Sequence, residues 1–206
     1  MSIESSPPLE GIVGFRRMED GTREDYELLA RYEREYVRKL PRRILAALKQ
    51  LEHALGGYPV TRYEHSLQTA TRALRDGADD ELVVAALIHD IGDDLAPFNH
   101  SQIAAAILRP YVRAEVTWIV EHHGLFQSYY FAHHLGADRH GRERYRDHPW
   151  YESCARFCAL WDQTSFDPDY PSEPLATFEP LVERIFTRPA HDATYVAVPG
   201  PTARNR

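Results

Sequence analysis

Long apolar runs are missing from these 206 residues. No stretch approaches the roughly 20 consecutive apolar residues that cross a bilayer, which argues against a membrane protein. Cysteine is almost missing too, with only Cys154 and Cys158. One helical turn apart, they are poorly placed to bridge each other and too few for a structural zinc site. They read as small core residues of a protein in a reducing compartment. Positive charge is short: 24 Lys and Arg against 31 Asp and Glu leave a net charge of -7. Without an extended basic stripe to neutralise phosphates, the chain is not expected to bind nucleic acid or an anionic membrane surface. Alternating strand patterns longer than a few residues are missing as well, TYVAVP near the end being the single strand-like stretch. The start, MSIESSPPLEG, lacks the basic and then apolar layout of a signal peptide, so a cytoplasmic location is expected.

What is present is helical punctuation. An apolar content of 43% and a charged content of 27% fit one ordinary globular domain with a sizeable core. Thr22 with Asp25, Pro41, Thr61, and Asn99 with Gln102 mark helix starts; Gly77, Pro110 and Gly124 mark ends or interruptions. The spacing predicts an all-α domain over 21–188, between a loose arm over 1–20 and a Pro/Gly-rich tail over 189–206. Residues 124–149 read as a broken helix with a loop.

Histidine is the abundant oddity, with 11 copies. The stretch ALIHDIGDDL closes an apolar run, Leu82 to Ile88, on His89-Asp90. A helix apolar nearly all round is buried, so its end is buried too. An imidazole beside a carboxylate there needs partners for both. A direct hydrogen bond between them would serve, and so would a Zn, Fe or Mn ion.

Other candidates stand on neighbouring helices. His65 lies beside an apolar stripe of Tyr63, Leu67, Ala70 and Leu74, on a polar face with Gln68 and Arg72; alone it reads as a surface histidine. His100 sits in the first turn after Asn99. In EHHG, Val112, Val116, Ile119 and His123 share one face, which aligns His123 with the core and His122 off it unless Gly124 distorts the turn. Asp162 completes the face of Tyr151, Cys154, Ala155 and Cys158, and needs either an arginine or a metal.

As an ordered set, H…HD…H…H…D (His65, His89-Asp90, His100, His123, Asp162) resembles the HD-domain superfamily from about Tyr58 to Asp162. That resemblance implies an all-α single helical bundle with a dinuclear metal site in its core, held by these residues. RYEHSLQTATRALRDGADDELVVAALIHDIGD, NHSQIAAAIL and IVEHHG look most similar to the mixed-valent diiron oxygenases, the branch of inositol oxygenase and the phosphonate-cleaving HD oxygenases. The implied cofactor is two Fe ions as an Fe(II)/Fe(III) pair. The implied partners are O₂ and a small hydroxylated or amino substrate, with C–C or C–P cleavage. His65, His89, Asp90 and Asp162 would hold the cluster, Asp90 bridging, and His100 and His123 would complete the second iron. A second branch of the superfamily is metal-dependent phosphohydrolases and phosphodiesterases using Mn, Ni or Co. A non-catalytic regulatory module is a third.

The sequence departs from the oxygenase pattern at two places. Relatives carry Lys or His three residues after the HD aspartate, where this chain has Asp93, then Asp94; a basic residue one turn after the later histidine is replaced by Gln127. Asp93 and Gln127 are therefore the candidate catalytic residues outside the ligand set. A carboxylate there repels phosphate or phosphonate by roughly several kcal/mol at short range. The expectation is a neutral polyol, or a cationic amine held by Asp93 or Asp94 and a wall of Tyr58, Phe126, Tyr129, Tyr130 and Trp161. RHGRERYR, from Arg139 to Arg146, is either an anion clamp over the site or a charged surface face.

Overall fold

The computed structural model describes residues 10–191. TYVAVP, the first nine residues of the expected arm and most of the expected tail lie outside them. The described residues form helices and turns without a strand, so the all-α reading holds. None of the described helices is long and apolar enough to cross a membrane.

The chain divides into two compact units, with the break between Leu40 and Pro41. In the first, α1 (Arg23–Arg38) starts at a full capping box of Thr22 and Asp25. Its side chains are exposed or half-buried, and Tyr32 donates to the Gly11 carbonyl at 3.0 Å.

The second unit, Pro41–Ala193, carries the candidate site. It comprises nearly all of α2 (Leu40–Gln50), then α3 (Arg62–Arg75), α4 (Asp80–Ile88), α5 (His100–Leu108), α6 (Ala114–Phe131), α7 (Tyr151–Phe157) and α8 (Leu175–Phe186). Helix α4 is the central element, packed against α3, α6 and α8, with Val83 to Ile88 all buried. Asp79 caps it by accepting from the Glu81 and Leu82 amides, and the acidic first turn suits the helix dipole. Fully embedded, α4 delivers His89 and Asp90 into the interior from its C-terminal end.

Helix α3 corrects one expectation. Thr61 and Glu64 form its capping box, but the buried face is not the Tyr63–Leu67–Ala70–Leu74 stripe. His65, Ser66, Gln68, Thr69, Ala70, Thr71 and Ala73 are buried, whereas Leu74 is exposed. Ser66 Oγ finds no partner among the described residues, but three of the other polar side chains can face inward because their hydrogen bonds are met, two inside the helix and one across the fold. Thr69 and Thr71 donate to the His65 and Leu67 carbonyls, and Gln68 pairs with the Asp167 backbone through both ends of its amide. His65 is thereby core, not surface.

Two more differences concern α5 and α6, which pack on each other. Asn99 precedes α5, but its side chain makes no capping bond, so the expected capping box with Gln102 does not form. Gly124 does not interrupt α6, which runs through it to Phe131. A Cβ at Gly124 would stand 2.9 Å from Ser101 Oγ, so the glycine permits a close helix approach and ends nothing. Helix α7 passes into a π turn, Cys158–Asp162, closed by the Gln163 amide donating to the Cys158 carbonyl at 3.0 Å. That wider turn fixes where Asp162 enters the core, a placement often found at functional positions.

Candidate metal centre

The four histidines on these elements share one local device. His65 Nδ1 donates to the Ser165 carbonyl at 2.9 Å, His89 Nδ1 to Ala86 at 2.8 Å, His123 Nδ1 to Val120 at 2.7 Å and His100 Nδ1 to Pro97 at 3.2 Å. A carbonyl only accepts, so each Nδ1 carries a hydrogen. Each Nε2 is then a lone pair unless a second proton is added. Backbone anchoring of this kind fixes tautomer and ring direction in metal-bound histidines.

Those Nε2 atoms converge. His65 Nε2 and His89 Nε2 are 3.1 Å apart, two lone pairs facing each other in the interior. Only a positive charge between them, a proton or a metal ion, relieves that opposition. Asp90 divides its oxygens: Oδ1 is 3.2 Å from His123 Nε2 and 3.4 Å from His100 Nε2, while Oδ2 is 3.4 Å from His89 Nε2 and 3.5 Å from His65 Nε2. Asp162 Oδ1 lies 3.4 Å from His65 Nε2 and accepts from Gln127 Nε2 at 3.0 Å. Its Oδ2 is buried with no partner among the described residues. Burial would push both carboxyls up. Positive charge on the imidazoles around them, with the Arg62 guanidinium beside Asp90, instead holds both well below the usual carboxylate range.

Two groups of buried donors close enough to hold an ion result: His65, His89 and Asp162, and His89, Asp90 and His123. His100 reaches the second through Asp90 and is the most exposed of the six, at 21%. The donor set fits a metal: neutral imidazoles and carboxylates suit Zn, Fe or Mn, and the orphaned Asp162 Oδ2 is the unsatisfied acceptor that an ion completes. A family model described as HD domain matches residues 62–167, just over half of the chain.

The chain belongs to the HD-domain family. Over 84 residues it is 34% identical to a protein of Leisingera caerulea named "[1-hydroxy-2-(trimethylamino)ethyl]phosphonate dioxygenase (glycine-betaine-forming)", a match covering 35% of this chain. The chain spans 43% of that relative's length in the match.

Within the HD domain, the structure brings all six expected ligands to one place and separates His122 from them. His122 Nδ1 donates to the Trp118 carbonyl at 2.9 Å, and its ring stacks on Trp118 at 4.2 Å. We expect His123→Ala to lower metal content, read by elemental analysis. His122→Ala should keep its metal and lose about 0.5–1.5 kcal/mol of stacking, read by thermal unfolding.

The surroundings of the centre differ from expectation. Asp93 is not a free carboxylate facing substrate: Arg62 Nε donates to its Oδ2 at 2.8 Å, and Asp94 is exposed. The cavity over the centre, about 340 Å³, is lined by Tyr58 and Tyr130 as expected, and by Phe131 and Phe166, which were not. Phe126 is fully buried core, Trp161 bonds Asp76, and Tyr129 lies under Arg139 and Arg142. None of those three lines the cavity, and neither does any residue of Arg139–Arg146. The basic run is held by Tyr129, Glu143 and Tyr151 instead of folding over the site. Gln127 does line it. Arg62 was missed, because its partner lies 31 residues away and no spacing rule reaches so far.

Proposed function

We propose that this HD domain is a dinuclear iron oxygenase that uses O₂ to oxidise a small organic substrate bearing a hydroxyl or amino group. The observation that carries the dinuclear part is Asp90, whose two oxygens face two different pairs of histidines, Oδ1 with His100 and His123, Oδ2 with His65 and His89. A carboxylate so placed can serve two ions at once. Support for oxygen chemistry comes from the relative named as a dioxygenase.

On this reading His65, His89 and Asp162 would hold one iron, His100 and His123 would hold the other, and Asp90 would serve both. Bound iron supplies one-electron and O₂ chemistry. The protein's own part is placement and exclusion of water. Phe166 stacks on His65 with ring centres 4.4 Å apart and on Tyr58 at 4.9 Å, closing one side of the centre with aromatic surface. The relative's name joins a trimethylamino group, a hydroxyl and a phosphonate in one small molecule. The aromatic faces of Tyr58, Tyr130, Phe131 and Phe166 suit a similarly compact substrate, including one with an alkylated nitrogen.

The test is iron quantification after aerobic purification, with electron paramagnetic resonance and O₂ uptake over polyols, amino alcohols and phosphonates. Two irons per chain, an Fe(II)/Fe(III) signal and substrate-dependent O₂ uptake are expected. Phosphate release from a generic phosphoester, dependent on Mn, Ni or Co and indifferent to O₂, would replace this reading with a phosphohydrolase.

A further inference from the structure

Arg62 brings a positive charge to the edge of the metal centre. It is the first residue of α3, directly after the Thr61 cap, and its side chain is only 12% exposed. Nε donates to Asp93 Oδ2 at 2.8 Å, and Nη1 stands 3.5 Å from Asp90 Oδ2. The guanidinium thus joins two carboxylates, one inside the centre and one outside it, with the Tyr58 ring 5.4 Å away on its flank. Asp93 is itself only 9% exposed, and its other oxygen, Oδ1, stands 3.6 Å from His100 Nδ1. Local backbone bonds hold this spacing. The Asp93 amide donates to the Asp90 carbonyl at 2.9 Å, and His100 Nδ1 donates to the Pro97 carbonyl at 3.2 Å. One ion pair therefore touches the centre twice, with its cation beside Asp90 and its anion beside His100.

We infer that the Arg62–Asp93 pair sets the reduction potential of the centre, Arg62 raising it through Asp90 and Asp93 lowering it. Both are positioning residues, since neither belongs to the ligand set. This tuning rests on the iron reading of the centre. A ferric ion carries one more positive charge than a ferrous ion, so a fixed charge nearby changes its energy more. A carboxylate that shares an oxygen with a guanidinium gives less electron density to a metal, which costs the ferric state most. Arg62 therefore favours the reduced form. Asp93 works with the opposite sign from two directions. Its charge offsets that of Arg62, and its Oδ1 faces the His100 imidazole, whose ring donates better beside an anion. Low exposure leaves both charges poorly screened by water and salt. A salt bridge that only tied α3 to the chain after α4 would affect stability and leave the potential alone.

The test is a mediator-poised redox titration of the iron-loaded protein that follows the Fe(II)/Fe(III) electron paramagnetic resonance signal. Iron content and thermal unfolding are recorded for each variant. One electron from the poised reductant converts the Fe(III)/Fe(III) pair to Fe(II)/Fe(III), and a second gives Fe(II)/Fe(II). Arg62→Gln should lower both midpoints, by about 59 mV for about a tenfold gain in preference for ferric iron. Asp93→Asn should raise both. Arg62→Lys, which keeps the charge, should stay closer to wild type than Arg62→Gln. Structural damage gives no reason for the two partners of one salt bridge to move a potential in opposite directions. The proposal is overturned if Arg62→Gln leaves the midpoints in place or raises them, or if Asp93→Asn fails to raise them. If one variant loses its iron, the other decides alone by the same criterion. Loss of iron from both overturns the proposal, because the pair would then hold the metal instead of tuning it. A wild-type centre that takes up no iron overturns this proposal and the oxygenase reading together. Opposite shifts without substrate-dependent O₂ uptake would sink only the oxygenase reading. O₂ uptake with unmoved midpoints would sink only this one.

Discussion

His89→Ala is expected to abolish metal binding at the whole centre, not to weaken one position. His89 is the residue common to both buried donor groups, and its side chain is wholly inaccessible. Its removal would take a nitrogen from the ion shared with His65 and Asp162 and would open space beside His123, assigned to the other ion, since the His65, His123 and Phe157 rings pack around it at 5.0, 4.9 and 5.8 Å. Loss of an outer partner of a metal ligand costs 10–100-fold in metal affinity, and loss of the ligand itself should exceed about 100-fold. Iron per chain should therefore fall to background on elemental analysis, and O₂ uptake with it. Metal-free stability should fall less than for an ordinary core truncation. The substitution also removes one of two lone pairs that face each other at 3.1 Å and need a positive charge between them. Circular dichroism that stays helical alongside lost iron is the expected pair of results. Iron retained at wild-type level would show that His89 is a core histidine satisfied by Ala86 and His65 alone.

The helical skeleton was legible because its signals are local. Thr22 with Asp25, and Thr61, mark helix starts, and each becomes a capping box, the second closed by Glu64. The featureless apolar run before His89 predicts a fully buried helix, and α4 is one. The face chosen for His123 over His122 followed from the register of Val112, Val116 and Ile119, and it is His123 that is buried beside Asp90. What local pattern could not reach was decided by distant partners. His65 looked exposed because its neighbours are polar, but Gln68 pairs with the Asp167 backbone 99 residues away and Arg72 donates to the Thr164 carbonyl 92 residues away. Asp93 looked like a lone negative charge because Arg62 is distant in sequence and adjacent in space. The aromatic wall was half right for the same reason. Tyr58 and Tyr130 do line the cavity, while Phe166 lies in the chain after the π turn, where periodicity gives no direction. Gly124 looked like a break because glycine weakens helices on average; here tertiary packing of α5 outweighs that preference.

Glycine also sets the last expectation, at the fourth letter of HDIG. A Cβ on Gly92 would stand 2.9 Å from the His100 carbonyl oxygen, 3.1 Å from its Cα and 3.0 Å from Ile103 Cβ. Two of these are backbone atoms at the start of α5 and cannot rotate aside, so Gly92→Ala must push the helix end itself. That end carries His100, whose Nε2 sits 3.4 Å from Asp90 Oδ1 and which is the least enclosed of the six expected ligands. Overpacking of this kind costs about 1–3 kcal/mol, which should appear as a clear fall in melting temperature. The metal effect should be one-sided. Helix α5 moves with His100, while His65 and Asp162 come from α3 and the π turn, and His89 is held at the end of α4 by its bond to the Ala86 carbonyl. Metal content is thus expected to drop from about two ions per chain to about one. Gly124→Ala is the matched comparison. Its Cβ would also approach to 2.9 Å, but against Ser101 Oγ, a hydroxyl on a rotatable side chain that can turn away. It should cost less stability and keep both ions. Equal damage from the two alanines, or full metal content with Gly92→Ala, would show that α5 does not deliver a ligand and that His100 belongs to the rim of the cavity instead of the centre.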